Sequence, residues 1–577
     1  MKSSFVKWGM IILIILLGMS LTCDVNDPAD DLKIVVDTDP ITTVISGSVV
    51  NGADSAPIDG VTVRLTVNGD DAAQVVNLNG AAQTDFELSE GIVSFALTEA
   101  SIPSDNDPVE LLLIARAAGY LSTSLPLKIY QTGSKTFRLY MIKIDDPPEG
   151  VAQEEGSGQA DNAGTLLQDV DVEVTEPVTG AKSSVELPQG LMLYTEDGTP
   201  LQGNLNVLLV YNNNQSDASL ASFPGGFDVT VDQNGTVTEG GLFVSAGLAT
   251  VEISDAAGNV AHTFGYNAGA GKRLGRALTD EDTLPTIRVG VPSDTYNPET
   301  GGLVADGDEI DIWLYDVEGG VWEHSSRDSI TDPDGRSDYS VKFTVDHLTP
   351  CNPDWWWFIN TCWVDRMVYI LGNDDLVPLM IRLKMADGSG YVWTAYNIID
   401  EVHLQLRALV NTPYIIEAWT DCGEESQLVG SVTVNPLCGT TGIQLTVTIP
   451  DIETTEKTIQ LSGYCECDDN LVVRPNSNTI WYQNTQCGAG SWIAIGSVVN
   501  GELTIEGLEI GVTYLFGTWY GGWYQIAATI YEDYSVYVPD LSTSDLIESV
   551  SVEGDVISYT VRLPEEVCAE FCPSTAD

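Results

Sequence analysis

The sequence predicts an all-β protein: several serial β-sandwich domains behind an N-terminal signal segment. Three observations predict it. Hydrophobic residues make up 43% of the chain yet recur in short alternating runs, the pattern of half-buried strands. Turns rich in Gly, Pro, Asn and Asp separate those runs, and few stretches could form a long helix. At 577 residues the chain is long enough for about three to five separate cores.

The first residues decide where the rest operates. Lys2 and Lys7 give a short positive start, Trp8 to Leu21 is an uncharged apolar run, and Cys23 follows at once. This reads as an export signal, since the run is short for a membrane span of about 20 residues. Ser20-Leu21-Thr22-Cys23 resembles the cleavage site of bacterial lipoproteins, a family that usually has Leu three residues before the Cys and Gly or Ala just before it. The resemblance implies a signal peptide over 1–23, lipidation of Cys23, and attachment to the outer membrane or cell surface. Residues 24–40 are acidic and contain Pro, as expected of a solvated tether. An acidic stretch in that place also resembles the surface-export signals of some Gram-negative bacteria.

From Ile41 strand alternates with turn. ITTVISGSVV leads through NGADSAPIDG into VTVRLTV, where Val61, Val63, Leu65 and Val67 alternate onto one face. SGSVV, APIDGVTVRL, a Gly-led IVSFAL, ARAAGY and FRLYMIK follow in an order that resembles the transthyretin-like module of the carboxypeptidase regulatory-domain family. The resemblance spans 41–145 and implies a β-sandwich without catalytic residues. Residues 146–165, DPPEGVAQEEGSGQADNAGT, have almost nothing to bury and are expected to be a linker. A central β domain is expected over 166–350. Its DGTPLQG, FPGGF, FVSAGLATVEISDAAGN, DIWLYD and GVWEH segments, with VDHLTPCNPDW, resemble a unit that often follows transthyretin-like modules in large secreted bacterial proteins.

Composition changes near residues 313–350. Trp is absent between Trp8 and Trp313, then appears twelve times up to Trp523. A Cys-containing β domain is expected over 351–450 and a Cys- and Trp-rich one over 451–577. HLQLRALVNTPYIIEAW at 403–419 and ELTIEGLEIGVTYLFGTW at 502–519 share a spaced Leu/Ile pattern, a Tyr and a closing Trp, as distant copies would.

Beyond Cys23 there are nine cysteines: Cys351, Cys362, Cys422, Cys438, Cys465, Cys467, Cys487, Cys568 and Cys572. In an exported chain they read as disulfides, and an odd number leaves one free or paired between chains. Cys351 with Cys362 and Cys422 with Cys438 are the plausible local pairs. A metal site built from Cys465-x-Cys467, Cys487 and Cys568-x3-Cys572 lacks the paired C-x2-C spacing of zinc ligands.

Acidic residues outnumber basic ones 84 to 24, a net charge of −60 that excludes nucleic acid as a partner. Calcium has the matching oxygen chemistry, but Asp332, Asp334 and Asp338 are followed by neither the Gly nor the Glu of a helix-loop-helix site. No calcium ligand is therefore assigned, and no other cofactor is expected. His262, His324, His347 and His403 form no HExxH, Ser245 lacks a nucleophile elbow, and GAGKRLGR at 269–276 lacks the Ser or Thr of a phosphate loop. His347 beside Cys351 could in principle make a nucleophile, although an exported cysteine is normally oxidised.

Aromatic residues are the best binding candidates: Trp355, Trp356 and Trp357, then Trp519, Tyr520, Trp523 and Tyr524. Their faces can stack on sugar rings, but the same residues commonly fill sandwich cores. Three consecutive Trp cannot share one side of a strand. The expected function is a non-enzymatic, lipid-anchored envelope protein for adhesion or ligand presentation, its Trp- and Cys-rich half reaching outward to a glycan or another surface protein. Alternatives are a carbohydrate-binding accessory protein in polysaccharide handling and a carboxylate-dependent hydrolase.

Overall fold

The computed structural model describes residues 34–37 and 41–572, apart from 267–282, 421–425, 450–457, 486–491, 532–535, 538–546, 564–567 and shorter loop positions. The signal segment with Cys23, the 269–276 turn, Cys422 and Cys487 lie outside the described residues. The chain is all-β, and among the described residues helix is confined to short turns such as Asp217–Ala221.

Residues 43–141 form a two-sheet sandwich. In one sheet Thr43–Asn51 is flanked by Ile92–Leu97, antiparallel, and by Gly133–Met141, parallel. In the other, Thr62–Val67, Val109–Arg116 and Thr123–Ile129 lie side by side. Alternation sends Ile45, Val49, Val63, Leu65, Phe95, Leu111 and Leu113 into the shared core. Asn68 and Gly69, both at positive φ, make the tight turn into Asp70–Asp71.

The same topology recurs twice. In the third domain Thr361–Leu371 lies between Glu401–Leu409, antiparallel, and Ile443–Thr446, parallel, over a sheet of Tyr391–Ile398, Leu379–Met385, Tyr414–Thr420 and Leu428–Val434. In the fourth Thr458–Asp468 lies between Glu502–Ile505 and Val556–Arg562, over Ile493–Val498, Asn478–Asn484, Thr513–Trp519 and Trp523–Ile530. The two segments expected to be copies occupy equivalent strands, and the N-terminal sandwich is a third copy that the sequence comparison missed.

The central domain differs. Cys351–Trp357, Thr236–Ser245, Asp228–Gln233, Val321–Ser329 and Glu309–Asp316 pair in that order, and the last returns to Cys351–Trp357, closing a five-stranded ring. Phe243, Trp313, Tyr315, Trp322 and Trp356 meet ring against ring inside it. Val151–Ala160, Gly203–Asn212 and Leu248–Asp255 extend this sheet. A second sheet of Val170–Thr175, Lys182–Leu187, Thr286–Val291 and Tyr339–Thr344 covers its other face.

Several expectations are corrected. The 146–165 segment is not a linker: Val151–Ala160 pairs along ten residues with Gly203–Asn212. Its small and polar side chains fit because Gly156 and Gly158 let Val172 and Val170 pack directly onto the strand. The boundary at 350 falls just before a strand of the central ring, so Cys351–Trp357 belongs to the domain before it. The 24–40 tether contains a strand, Ile34–Asp37, running parallel to Leu471–Arg474.

Nor do the modules form a simple string. The N-terminal sandwich touches all three others: Ser124 and Tyr315 hydroxyls at 2.8 Å join it to the ring, Arg138 stacks 4.1 Å from Tyr396 of the third domain, and the Ser46 hydroxyl lies 2.6 Å from Thr479 of the fourth.

Candidate functional site

The outer face of the third domain's three-stranded sheet is the surface best suited to contact. Along Thr361–Leu371, Val364, Val368 and Ile370 point inward and are buried, so Trp363, Asp365, Met367, Tyr369 and Leu371 point outward. Trp363, Tyr369 and Leu371 are 45%, 44% and 41% exposed. The partner strands supply polar neighbours in register: Gln405 opposite Asp365, His403 opposite Met367, and Glu401 and Gln444 on either side of Tyr369. His403 Nε2 pairs with the Asp365 carboxylate and fixes both side chains. Tyr130 of the N-terminal sandwich meets the Trp363 ring, centroids 5.9 Å apart and planes tilted by 56°, and packs against one side of it. Tyr369 stands six residues from Trp363, about 20 Å along the strand. This is a strip of exposed aromatic and aliphatic surface with hydrogen-bonding groups along its sides.

The equivalent face of the N-terminal sandwich is covered. Val44, Ser46, Ser48 and Val50 point outward from Thr43–Asn51 yet are buried, under Trp481, Trp492 and Thr479 of the fourth domain and Tyr396 of the third. Where it meets the fourth domain, that closed interface is built from small residues receiving large ones; where it meets the third, Arg138 and Tyr140 reach Tyr396. The open face in the third domain carries large, half-exposed residues of its own.

The residues singled out in the sequence are placed otherwise. Trp355 is 1% exposed and donates its indole N–H to the Glu309 carbonyl at 3.1 Å, so it is a core residue and not a ligand platform. Trp356, on the opposite face of the strand, is half-buried and edge-on to Trp313 at 5.8 Å, seated where Gly241 has no side chain. Trp357 pairs with Leu242, and its side chain lies outside the described residues. Trp519 and Trp523 face each other across a hairpin, with Tyr524 opposite Thr518. The side chains of these three, and all of Tyr520, lie outside the described residues.

The cysteines pair as Cys362–Cys438, Cys465–Cys568 and Cys467–Cys572, with Cys351 free and buried. The local pairs Cys351–Cys362 and Cys422–Cys438 are thereby overturned: Cys351 sits inside the central domain, donating to the Thr349 carbonyl, while Cys438 packs beside Cys362 on the third sandwich. The four described cysteines of the sulfur metal site are likewise consumed in disulfides. A Cys351–His347 nucleophile is excluded too. Burial pushes the thiol up, away from thiolate, and His347 turns its Nδ1 to Asp346 at 2.8 Å.

The most perturbed carboxyl, Asp354, is fully buried inside the ring. Burial raises its pKa well above the carboxylate range, opposed by hydrogen bonds from Asn352 and the Val244 N–H, with nearby Asp311 pushing it further up. Ser245 donates to Asn352 and completes a sealed polar layer. It has no solvent access and so cannot receive a substrate. Among the described residues no group of three or more His, Cys, Asp or Glu is placed to hold a metal, and no helix is long and apolar enough to cross a membrane. Asp338, one of the aspartates weighed for calcium, instead pairs with Lys182 at 2.9 Å.

Sequence reasoning missed Trp363 and Tyr369. In TCWVDRMVYIL both alternating sets contain apolar residues, and Arg366 falls in the inward set, so the pattern did not say which face was outside. The signal that could have found them is the polar alternation of EVHLQLRAL, whose outward Glu401, His403 and Gln405 mark the sheet as one-sided.

No family model matches the chain, and no curated protein matches it. Similar solved structures include the C-terminal fragment of pilus adhesin SpaC from Lactobacillus rhamnosus GG, at 10% identity and TM-score 0.14 over 34% of this chain and 96% of that one. A structure of pilus adhesin SpaC from the same organism matches at 9% identity and TM-score 0.14 over 72% of this chain and 56% of that one. BcpA, the major pilin subunit of Bacillus cereus, matches at 8% identity and TM-score 0.13 over 90% and 99%. Likeness at these values carries no argument, and fold and site rest on the chain's own residues.

Proposed function

We propose that the chain is an exported, non-enzymatic surface protein of the adhesion type, whose β modules hold the Trp363–Leu371 face open for contact with a partner. The observation that carries this reading is the alignment of three large apolar side chains, each more than two-fifths exposed, on one strand of an otherwise acidic protein. Export and attachment are assigned to the signal segment and lipidated Cys23, and the N-terminal sandwich to the transthyretin-like class.

Anchoring at Cys23 fixes an orientation. Ile34 follows Cys23 by 34 − 23 = 11 residues, and Ile34–Asp37 is bound to the fourth domain. Eleven residues reach at most about 40 Å. The Cys-rich fourth domain therefore stands near the membrane, reversing the expectation that it forms the outer end.

The test is adhesion of beads coated with the 24–577 protein to cells and extracellular matrix of its habitat. Replacing both Trp363 and Tyr369 with Ala should reduce retention by about tenfold or more, two lost aromatic contacts being worth roughly 1–3 kcal/mol. Unchanged retention refutes this face. Turnover of a glycan or peptide, lost on changing one Asp or Glu, refutes the non-enzymatic reading. Intact mass of protein from its own cell checks the anchor through acylation at residue 23.

A further inference from the structure

We propose that the Trp363–Leu371 face binds a neutral glycan chain laid along the strand. The inference rests on the surface-binding reading above and names the chemistry of the partner.

Three observations select a glycan over a protein surface. First, polar groups stand beside the apolar ones: Trp363, Met367 and Tyr369 project outward with Asp365 between the first two, and Gln405 and Gln444 lie in register on the neighbouring strands. A pyranose presents one apolar C–H face and a rim of hydroxyls. It stacks on the aromatic while its hydroxyls reach carboxylate and amide groups, which accept and donate. Second, the strip runs about 20 Å from Trp363 to Tyr369, the length of a short oligosaccharide. Third, the chain already shows how this sheet face looks when it packs against protein. In the N-terminal sandwich it is lined by Ser46, Ser48, Ser94 and Ile92 and filled by Trp481 and Trp492. The third domain lacks that small-residue surface.

Charge sets the class. Asp365 and Glu401 lie on the face, with Arg407 in register opposite Trp363, and the whole chain carries −60. Uronate- or sulfate-bearing polymers meet that net field as like charges, whereas a neutral chain does not. The basic side chains of the strip are engaged within it: His403 pairs with Asp365, and Arg407 donates to the Thr361 hydroxyl at 3.4 Å.

The experiment is titration of cellohexaose, chitohexaose, laminarin, mannan and, as the acidic comparison, polygalacturonate into the 24–577 protein. Binding of at least one neutral glycan is expected, weakened about tenfold by Trp363→Ala and separately by Tyr369→Ala, and largely restored by Trp363→Phe. Thermal melts of each variant separate loss of binding from loss of fold, and two sites six residues apart guard against one misfolded variant. Binding of polygalacturonate alone overturns the ligand class and leaves the surface-binding reading standing. If no glycan binds and the wild type self-associates in a Trp363-dependent way, the occupant is a second copy and the proposal fails. It fails equally if neither occurs.

Discussion

Asp354 holds its carboxyl inside the central ring, where Val244 N–H at 2.7 Å and Asn352 Nδ2 at 2.8 Å both point at it. Its folded pKa is raised above the unfolded value of about 3.9, so the native state holds a proton that the unfolded state releases. This contribution is fully present below about pH 3.9 and is lost as pH rises through the folded value. Asp354→Asn presents the same one-donor, one-acceptor edge as the protonated acid without a charge to bury, once the Asn352 amide turns over so that its oxygen accepts and its Nδ2 meets the Ser245 hydroxyl. Urea midpoints measured between about pH 5 and about pH 8 should therefore fall with pH more steeply in the wild type than in this variant. Equal slopes would show that Asp354 is already ionised in the native protein across that window. Tryptophans divide by the same logic of burial. Trp355→Ala should cost about 3–5 kcal/mol in a denaturation series, whereas Trp363→Ala should stay within about 0.5 kcal/mol, because only the first leaves a core cavity and an unpaired Glu309 carbonyl.

Among the elements, the paired disulfides show what spacing can and cannot tell. Cys465 and Cys467 are two apart on a strand, on one face, and Cys568 and Cys572 are four apart and joined by the Cys572 N–H to Cys568 carbonyl bond at 2.8 Å. Both separations are about 6–7 Å, so the pairs meet two by two. In the sequence C-x-C and C-x3-C were grouped, with Cys487, only as a metal site lacking zinc spacing, and nothing said that the last residues return to the strand at 465. Strand identity was legible wherever apolar residues alternate, because alternation is local, but not in Val151–Ala160 or Ile34–Asp37, which read as linker and tether. Strand membership was less legible still: Cys351–Trp357 was assigned away from its sheet since its partners lie far from it along the chain. The two disulfides close loops of 103 and 105 residues, nearly the same loop. Chain entropy is therefore removed largely once. Replacing Cys465 and Cys568 with Ala should cost about 1–2 kcal/mol, replacing all four about 4–5 kcal/mol, measured by urea unfolding. Equal, additive losses would show that each bond acts through local packing instead.

At the scale of the molecule, three sandwiches of one topology are used in different ways, and the difference lies in what covers the first strand of each. Copies were visible in the sequence only where a Tyr and a Trp kept their spacing. The N-terminal copy kept the topology without that Tyr and Trp, its equivalent strand being Val109–Arg116, so it did not register. Its other sheet turns Ser46 and Ile92 outward, and there the fourth domain docks. Ion pairs add to the assembly, with Arg382 to Asp217 at 3.2 Å and Lys128 to Glu239 at 3.1 Å crossing between modules, but such partly exposed pairs contribute at most about 1 kcal/mol each. The apolar contact of Ile92 with Trp481, Trp492 and Ala494 is accordingly the main tie between first and fourth domains, helped by the Ser46–Thr479 hydrogen bond. Replacing Trp481 and Trp492 together with Ala should release the fourth domain, which would stay linked through the chain. Small-angle scattering should then show a larger radius of gyration, and limited proteolysis should cut the connection near residue 450 faster. A scattering curve identical to that of the wild type would mean that the Ile34–Asp37 strand and the remaining contacts suffice to hold the two domains together.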